Sequence, residues 1–158
     1  MRQKLTVLIP CKNERLNIRP CLESVRPIAD EILIVAAPDL ANLRNAKNLV
    51  DLLRQQRTND VPARLIINKN GLTKRPEIKV EDFAAALNLT PLAVIPFDAA
   101  LFGTAANNGQ MIAETDPKSP IAAAFDLIGR TVTGRAEVKR QKQSLFGSLF
   151  KKRAKKAT

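Results

Sequence analysis

Four short apolar runs constrain what this chain can fold into. Thr6-Val7-Leu8-Ile9, Glu31 to Ala36, Arg64-Leu65-Ile66-Ile67 and Leu92-Ala93-Val94-Ile95 each carry apolar side chains at successive positions. A strand with one wet face alternates apolar and polar residues, whereas a strand buried on both faces reads as an unbroken apolar run. Prolines punctuate these runs: Pro10 closes the first, and Pro91 and Pro96 bracket the fourth. Proline cannot donate to a ladder, so it belongs at strand ends.

The segments between them have helical spacing. Asn17 to Val25 predicts a short helix with Ile18, Leu22 and Val25 on one face, and Pro20 confined to its first turn. After Pro38, Asp39 is a good N-cap for a helix whose Leu40, Leu43, Ala46, Val50 and Leu53 repeat at helical intervals. Val80, Phe83, Ala84 and Leu87 mark another helix. Asp98 caps a short one through Ala106 that Gly109 ends. Ser119-Pro120 opens a last helix with Ile121, Phe125, Ile128 and Val132 on its core face and Gly134 as its stop. The alternation predicts an α/β fold of three layers. Its centre is an open, mainly parallel sheet of four or more strands, with helices on both faces and right-handed crossovers. We expect one α/β domain over residues 1–134 and a basic amphipathic tail over 135–158.

Composition narrows the chemistry. The 158 residues include no His, Trp or Tyr, which removes the usual general base and the commonest transition-metal ligand. Two cysteines ten positions apart, Cys11 and Cys21, make no zinc site, so no metal ligands are assigned. The apolar runs fall far short of the roughly 20 residues that span a bilayer, and the first strand follows Met1 too closely for a signal-peptide core. The expected location is cytoplasmic. Net charge is +11, and it is concentrated: Arg130 to Thr158 hold ten Lys or Arg against Glu137 alone, a net of +9.

A phosphate loop needs Gly-x-x-x-x-Gly-Lys-Ser/Thr between a strand and a helix, so that backbone N–H groups and the lysine surround the phosphates. The nearest string, Gly129-Arg-Thr-Val-Thr-Gly134-Arg135-Ala136, lacks the Lys and the Ser/Thr and follows a helix. A helix stop explains it better.

From about Ala29 onward the chain resembles the C-terminal half of a CpaE/TadZ-type pilus-assembly ATPase, one of the MinD/ParA-like deviant P-loop proteins. The strings carrying this are Ala29-Asp30-Glu31-Ile-Leu-Ile-Val, Leu43-Arg44-Asn45-Ala46-Lys47-Asn48, Ile67-Asn68-Lys69, Lys74-Arg75-Pro76-Glu77-Ile78-Lys79, Ile95-Pro96-Phe97-Asp98 and Thr104-Ala105-Ala106-Asn107-Asn108-Gly109. The resemblance implies a P-loop-NTPase-like fold without the P-loop, and places Asn68, Pro96, Phe97 and Asp98 on the adenine side of a nucleotide site. Asn68 equally suits a turn cap and Pro96 a strand stop. ATP with magnesium is the implied cofactor, residual where the phosphate loop and catalytic Asp are missing; no catalytic residue is assigned. Relatives of this kind often dimerise across nucleotide, which implies a homodimer.

Residues 1 to about 35 resemble instead the start of a family-two glycosyltransferase, through Val7-Leu8-Ile9-Pro10-Cys11-Lys12-Asn13-Glu14 and Asp30-Glu31-Ile-Leu-Ile-Val. That implies a nucleotide-sugar contact at Pro10, Asn13 and Glu14. The Asp-rich run due after the second strand is replaced by Ala36-Ala37-Pro38-Asp39-Leu40, and no Asp-x-Asp pair follows to hold a divalent metal on the diphosphate. One strand-helix-strand unit has thus replaced another. The fold is kept and both active sites are left incomplete, as in a chimera, a fused or degenerate gene, or a fold recombination without evolved function.

The tail joins Leu145, Phe146, Leu149 and Phe150 to Lys151, Lys152, Arg153, Lys155 and Lys156. That composition suits an interfacial helix on anionic lipid, an acidic partner, or a solvated end. Without Tyr or Trp there is little to stack nucleic-acid bases. The expected partners are pilus-assembly proteins or an anionic membrane surface, peripheral at the inner membrane, with docking rather than catalysis as the role.

Overall fold

The computed structural model describes residues 31–56 and 61–134 together with the backbone of 6–10. The predicted helix over Asn17–Val25, residues Asn13 and Glu14, and the tail from 135 lie outside the described residues.

Strands β1 (Thr6–Pro10), β2 (Glu31–Ala36), β3 (Arg64–Asn70) and β4 (Pro91–Pro96) form one sheet in the order β1-β2-β3-β4. Every pairing is parallel. The first strand, whose resemblance differs from the rest, pairs with β2 along its length, from Thr6 opposite Glu31 to Pro10 opposite Val35.

The two-residue period of a strand sorts its side chains between two cores. Ile32, Ile34 and Ala36 of β2 and Leu65 and Ile67 of β3 pack with α1 (Leu40–Gln56) and α2 (Val80–Leu87), through Ala46, Leu49, Val50, Leu53, Phe83, Ala84 and Leu87. Leu33, Ile66 and Ile95 point the other way. They meet Ile121, Ile128 and Val132 of α5 (Pro120–Thr133) and Leu101 and Phe102 of α3 (Ala99–Asn108), with Ile112 of the one-turn α4 (Ile112–Thr115). Strands that neighbour in sequence order, joined by crossovers of one hand, carry their helices on one face. That is why α1 and α2 share a side, and the helices described after β4 lie on the other. Three layers result.

Sequence chemistry sets the helix ends. Asp39 Oδ1 accepts the Asn42 N–H at 2.8 Å, Asp98 Oδ1 the Leu101 N–H at 2.8 Å and Ser119 Oγ the Ala122 N–H at 3.1 Å. Gly109 and Gly134 close α3 and α5 in the left-handed region. Gly129 sits inside α5, so the Gly129–Gly134 string is helix and helix stop rather than a loop. At the end of α2 that left-handed cap is Asn88, at φ 51°. Asn88→Val should lower stability by about 1–2 kcal/mol, because a β-branched residue is strained there, while Asn88→Gly should leave it nearly unchanged. Urea denaturation of the two variants checks this.

Three details depart from the sequence expectations. β3 runs on to Asn70, past the apolar run. A short α4 occupies a stretch read as connection, its entry fixed by the Glu114 carboxylate, which accepts the Met111 N–H at 2.8 Å. Phe125 is 44% exposed, set edge-on against Phe102 with ring centroids 6.4 Å apart. It packs on α3 at the surface rather than filling the core.

Candidate functional site

In an open parallel sheet, ligands bind outside the C-terminal ends of the strands. Here that rim is made by Pro38 and Asp39 after β2, Asn68 to Gly71 at the end of β3, and Pro96 to Asp98 at the end of β4.

The end of β3 is irregular. Its register with β4 shifts between Ile67 and Asn70, and Lys69 stands at φ 60°, a region that non-glycine residues enter rarely. Asn68, half-buried, takes the Lys69 N–H on its Oδ1 at 2.9 Å. Asn70 pairs with Pro96, and its carbonyl accepts the Phe97 N–H at 2.7 Å. The residues assigned to the adenine side thus meet at adjoining strand ends. Phe97 is 39% exposed there, while the Asp98 carboxylate is occupied as the cap of α3. Pro10 ends β1 opposite Val35.

The segment from Gly71 to Lys79 is held to the rim at three points. Both oxygens of Glu77 are engaged, accepting the N–H of Gly71 and of Leu72 at 2.9 Å each. The Ile78 N–H donates to the Pro38 carbonyl at 2.8 Å. Arg75 forms an ion pair with Asp39, whose carboxylate also accepts from the Asn42 side chain at 2.7 Å. Arg75 and Glu77 were not among the residues expected at the site. Asn70-Gly71 is a recognisable turn signal, but nothing in the sequence points Arg75 at a carboxylate 36 positions away.

This arrangement tests the implied cofactor. A magnesium ion on a diphosphate needs carboxylates with free oxygens. Both oxygens of the rim's Asp39 and of Glu77 are engaged with internal donors, Asp98 has one of its two engaged, and no cluster of three or more metal-ligating side chains occurs among the described residues. Among the described residues this rim offers a magnesium ion one open carboxylate oxygen, on Asp98, a poor match to the ligand set it needs. Among the described residues no helix is long and apolar enough to cross a membrane.

The layered parallel sheet and its rim define the MinD/ParA-type α/β fold, P-loop-NTPase-like in architecture. No family model matches the chain. It is 29% identical over 111 residues to the septum site-determining protein MinD of Bacillus subtilis (strain 168), covering 68% of this chain and 40% of that protein. The MinD cell division protein of Aquifex aeolicus superposes with a TM-score of 0.55 at 25% identity, over 72% of this chain and 48% of the other. In the MinC:MinD complex of the same organism the values are 0.55 and 24%, over 69% and 45%. Over part of its length, then, the chain is related to MinD/ParA-family ATPases, and it spans less than half of the MinD proteins it matches.

Proposed function

We propose that this chain is a localisation module of the MinD/ParA type, of the CpaE/TadZ pilus-assembly kind. It docks to a partner or to an anionic surface, and it retains a weak purine-nucleotide site without hydrolysing ATP. The observation that carries the nucleotide part is that Asn68 lies on the β3 end whose Asn70 pairs with Pro96 and accepts the Phe97 N–H at 2.7 Å, so Asn68, Pro96 and Phe97 stand at one C-terminal rim. The carboxylates of that rim support binding without turnover, since Asp39 and Glu77 are fully engaged and Asp98 alone keeps an open oxygen, too little to hold a metal in place. A MinD protein is seen in complex with MinC, which supports docking as the mode of action. Pilus-assembly partners and a peripheral membrane location rest on the CpaE/TadZ resemblance and the composition of the tail.

Thermal melts of the purified chain with millimolar ATP, and separately with UDP-glucose, test this reading. A ligand at about ten times its dissociation constant adds roughly 1.4 kcal/mol and raises the midpoint by about 3–5 °C. The expected result is a rise with ATP that needs no magnesium, no rise with UDP-glucose, and no phosphate release above background. Sustained magnesium-dependent ATP hydrolysis overturns it. A shift with UDP-glucose alone shows instead that the first strand's nucleotide-sugar contact is the working one.

A further inference from the structure

We infer that Asn108 is a site of spontaneous deamidation on the folded chain, and that Glu77 shields the chain's other Asn-Gly pair from the same reaction. The sequence holds two such pairs, Asn70-Gly71 and Asn108-Gly109. Asparagine is thermolabile, most of all before glycine, whose backbone bends freely enough for the reaction. The glycine nitrogen loses its proton to hydroxide, and its lone pair attacks the asparagine side-chain carbon. The new N–C bond closes a succinimide ring as the C–NH2 bond breaks, and the departing nitrogen takes a proton from water to leave as ammonia. Water then opens the ring at either carbonyl, giving aspartate or isoaspartate. Sequence makes the two pairs equal, so the structure decides between them.

Crowding does not separate them, since neither glycine has an atom within 4 Å of the place a Cβ would take. Hydrogen bonding does. Asn70 ends β3, pairs with Pro96, and its carbonyl accepts the Phe97 N–H at 2.7 Å. The Gly71 N–H donates to Glu77 Oε2 at 2.9 Å, and the other oxygen of that carboxylate holds the Leu72 N–H. To react, Gly71 has to give up a charge-assisted hydrogen bond, the stronger kind. The same carboxylate opposes the negative charge that the nitrogen develops as it loses its proton. Asn108 is placed otherwise. It is exposed and last in α3, where helix ends fray at little cost. The Gly109 N–H donates to a neutral carbonyl, that of Ala106, at 3.2 Å. The Asn108 amide NH2 donates to Gln110 Oε1 at 3.2 Å, in the open. The carboxylate formed there stands at the negative end of the α3 dipole, so the conversion loosens the last turn of α3.

Peptide mass mapping after incubation of the full chain in mildly alkaline buffer tests this, with isoaspartate confirmed by an isoaspartyl methyltransferase. The peptide bearing Asn108 is expected to exchange NH2 for OH at least about tenfold faster than the peptide bearing Asn70, the effect of one hydrogen bond to a charged group. In concentrated urea the two rates should be equal. Glu77→Ala should raise the Asn70 rate by about tenfold and leave Asn108, its internal standard, unchanged. Where Asn108 accelerates as well, the variant has lost its fold. Glu77→Gln, which gives up the charge and one acceptor, then takes its place, with a several-fold rise at Asn70 alone expected. Asn70 reacting as fast as Asn108 in the folded wild type overturns the inference, as does an Asn70 rate indifferent to both Glu77 variants. So does an Asn108 that stays intact over the time in which both sites react in urea.

Discussion

Phe83→Ala is expected to remove about 3–5 kcal/mol of unfolding free energy, the usual range for emptying a buried phenylalanine site. Phe83 is 0% exposed and lies in the core that joins α1 and α2 to the sheet. The cavity would be walled by strands on one side and a 17-residue helix on the other, so little collapse is available to reduce the loss. Domains of this size hold roughly 5–15 kcal/mol in all. A loss of that order should bring the melting midpoint down by about 10 °C or more, and in urea it should move the midpoint without changing the slope. Phe125→Ala is the control. That ring is the same size, but it is 44% exposed and its defined neighbour is Phe102. Its loss should be on the order of 1 kcal/mol. Equal losses at the two sites would show that the buried ring of α2 contributes no more than the exposed ring of α5.

The contrast between these two phenylalanines shows what the sequence makes legible. Phe83 belongs to a tight i, i+1, i+4 cluster with Ala84 and Leu87, and all three are buried. Phe125 has helical spacing from Ile121 and Ile128, yet a helical wheel gives the stripe that faces inward and not how deeply each of its residues is covered. The strands were legible because apolar runs between prolines are, and the caps Asp39, Asp98 and Ser119 because each stands one residue before its helix. β3 outran its prediction for a reason visible in its residues: Asn68-Lys69-Asn70 is polar, so the apolar signal stopped at Ile67 while the ladder continued to Pro96. α4 has four residues, too few for any periodicity to register. At the rim, Asn68 and Pro96 were reached only through the CpaE/TadZ resemblance, since an Asn and a Pro at strand ends have ordinary uses as well. The framework around them was out of reach. Arg75 and Glu77 act across loops, and tertiary pairing of that kind leaves no local pattern.

Asp39→Ala should cost about 2–3 kcal/mol, and the size follows from how many groups converge on one carboxylate. Asp39 caps α1 through the Asn42 N–H at 2.8 Å, a contact whose loss removes about 1 kcal/mol or somewhat more. The same side chain holds the Asn42 amide at 2.7 Å and pairs with Arg75. It is largely buried, so its former partners would not be resatisfied freely by water. Asp39→Asn separates these terms. Asparagine caps a helix as well as aspartate does, so this variant gives up chiefly the charge opposite Arg75. With that arginine's side chain 39% exposed, the loss should stay below about 1 kcal/mol and should shrink further in molar salt. Denaturation curves of both variants at low and high salt check the series, and a loss as large for Asn as for Ala would mean the ion pair dominates. The rim should feel the change as well. Arg75 ties the Gly71–Lys79 segment to β2, and Glu77 in that segment holds the N–H groups of Gly71 and Leu72, next to the turn that fixes Asn68. Loosening the Asp39 end should therefore weaken purine binding at temperatures where Asp39→Ala is still fully folded. Asp39→Asn, with its cap intact, should lose less. If affinity in both variants follows wild type while stability falls, the ion pair serves the helix alone and the turn at Lys69 holds Asn68 without it.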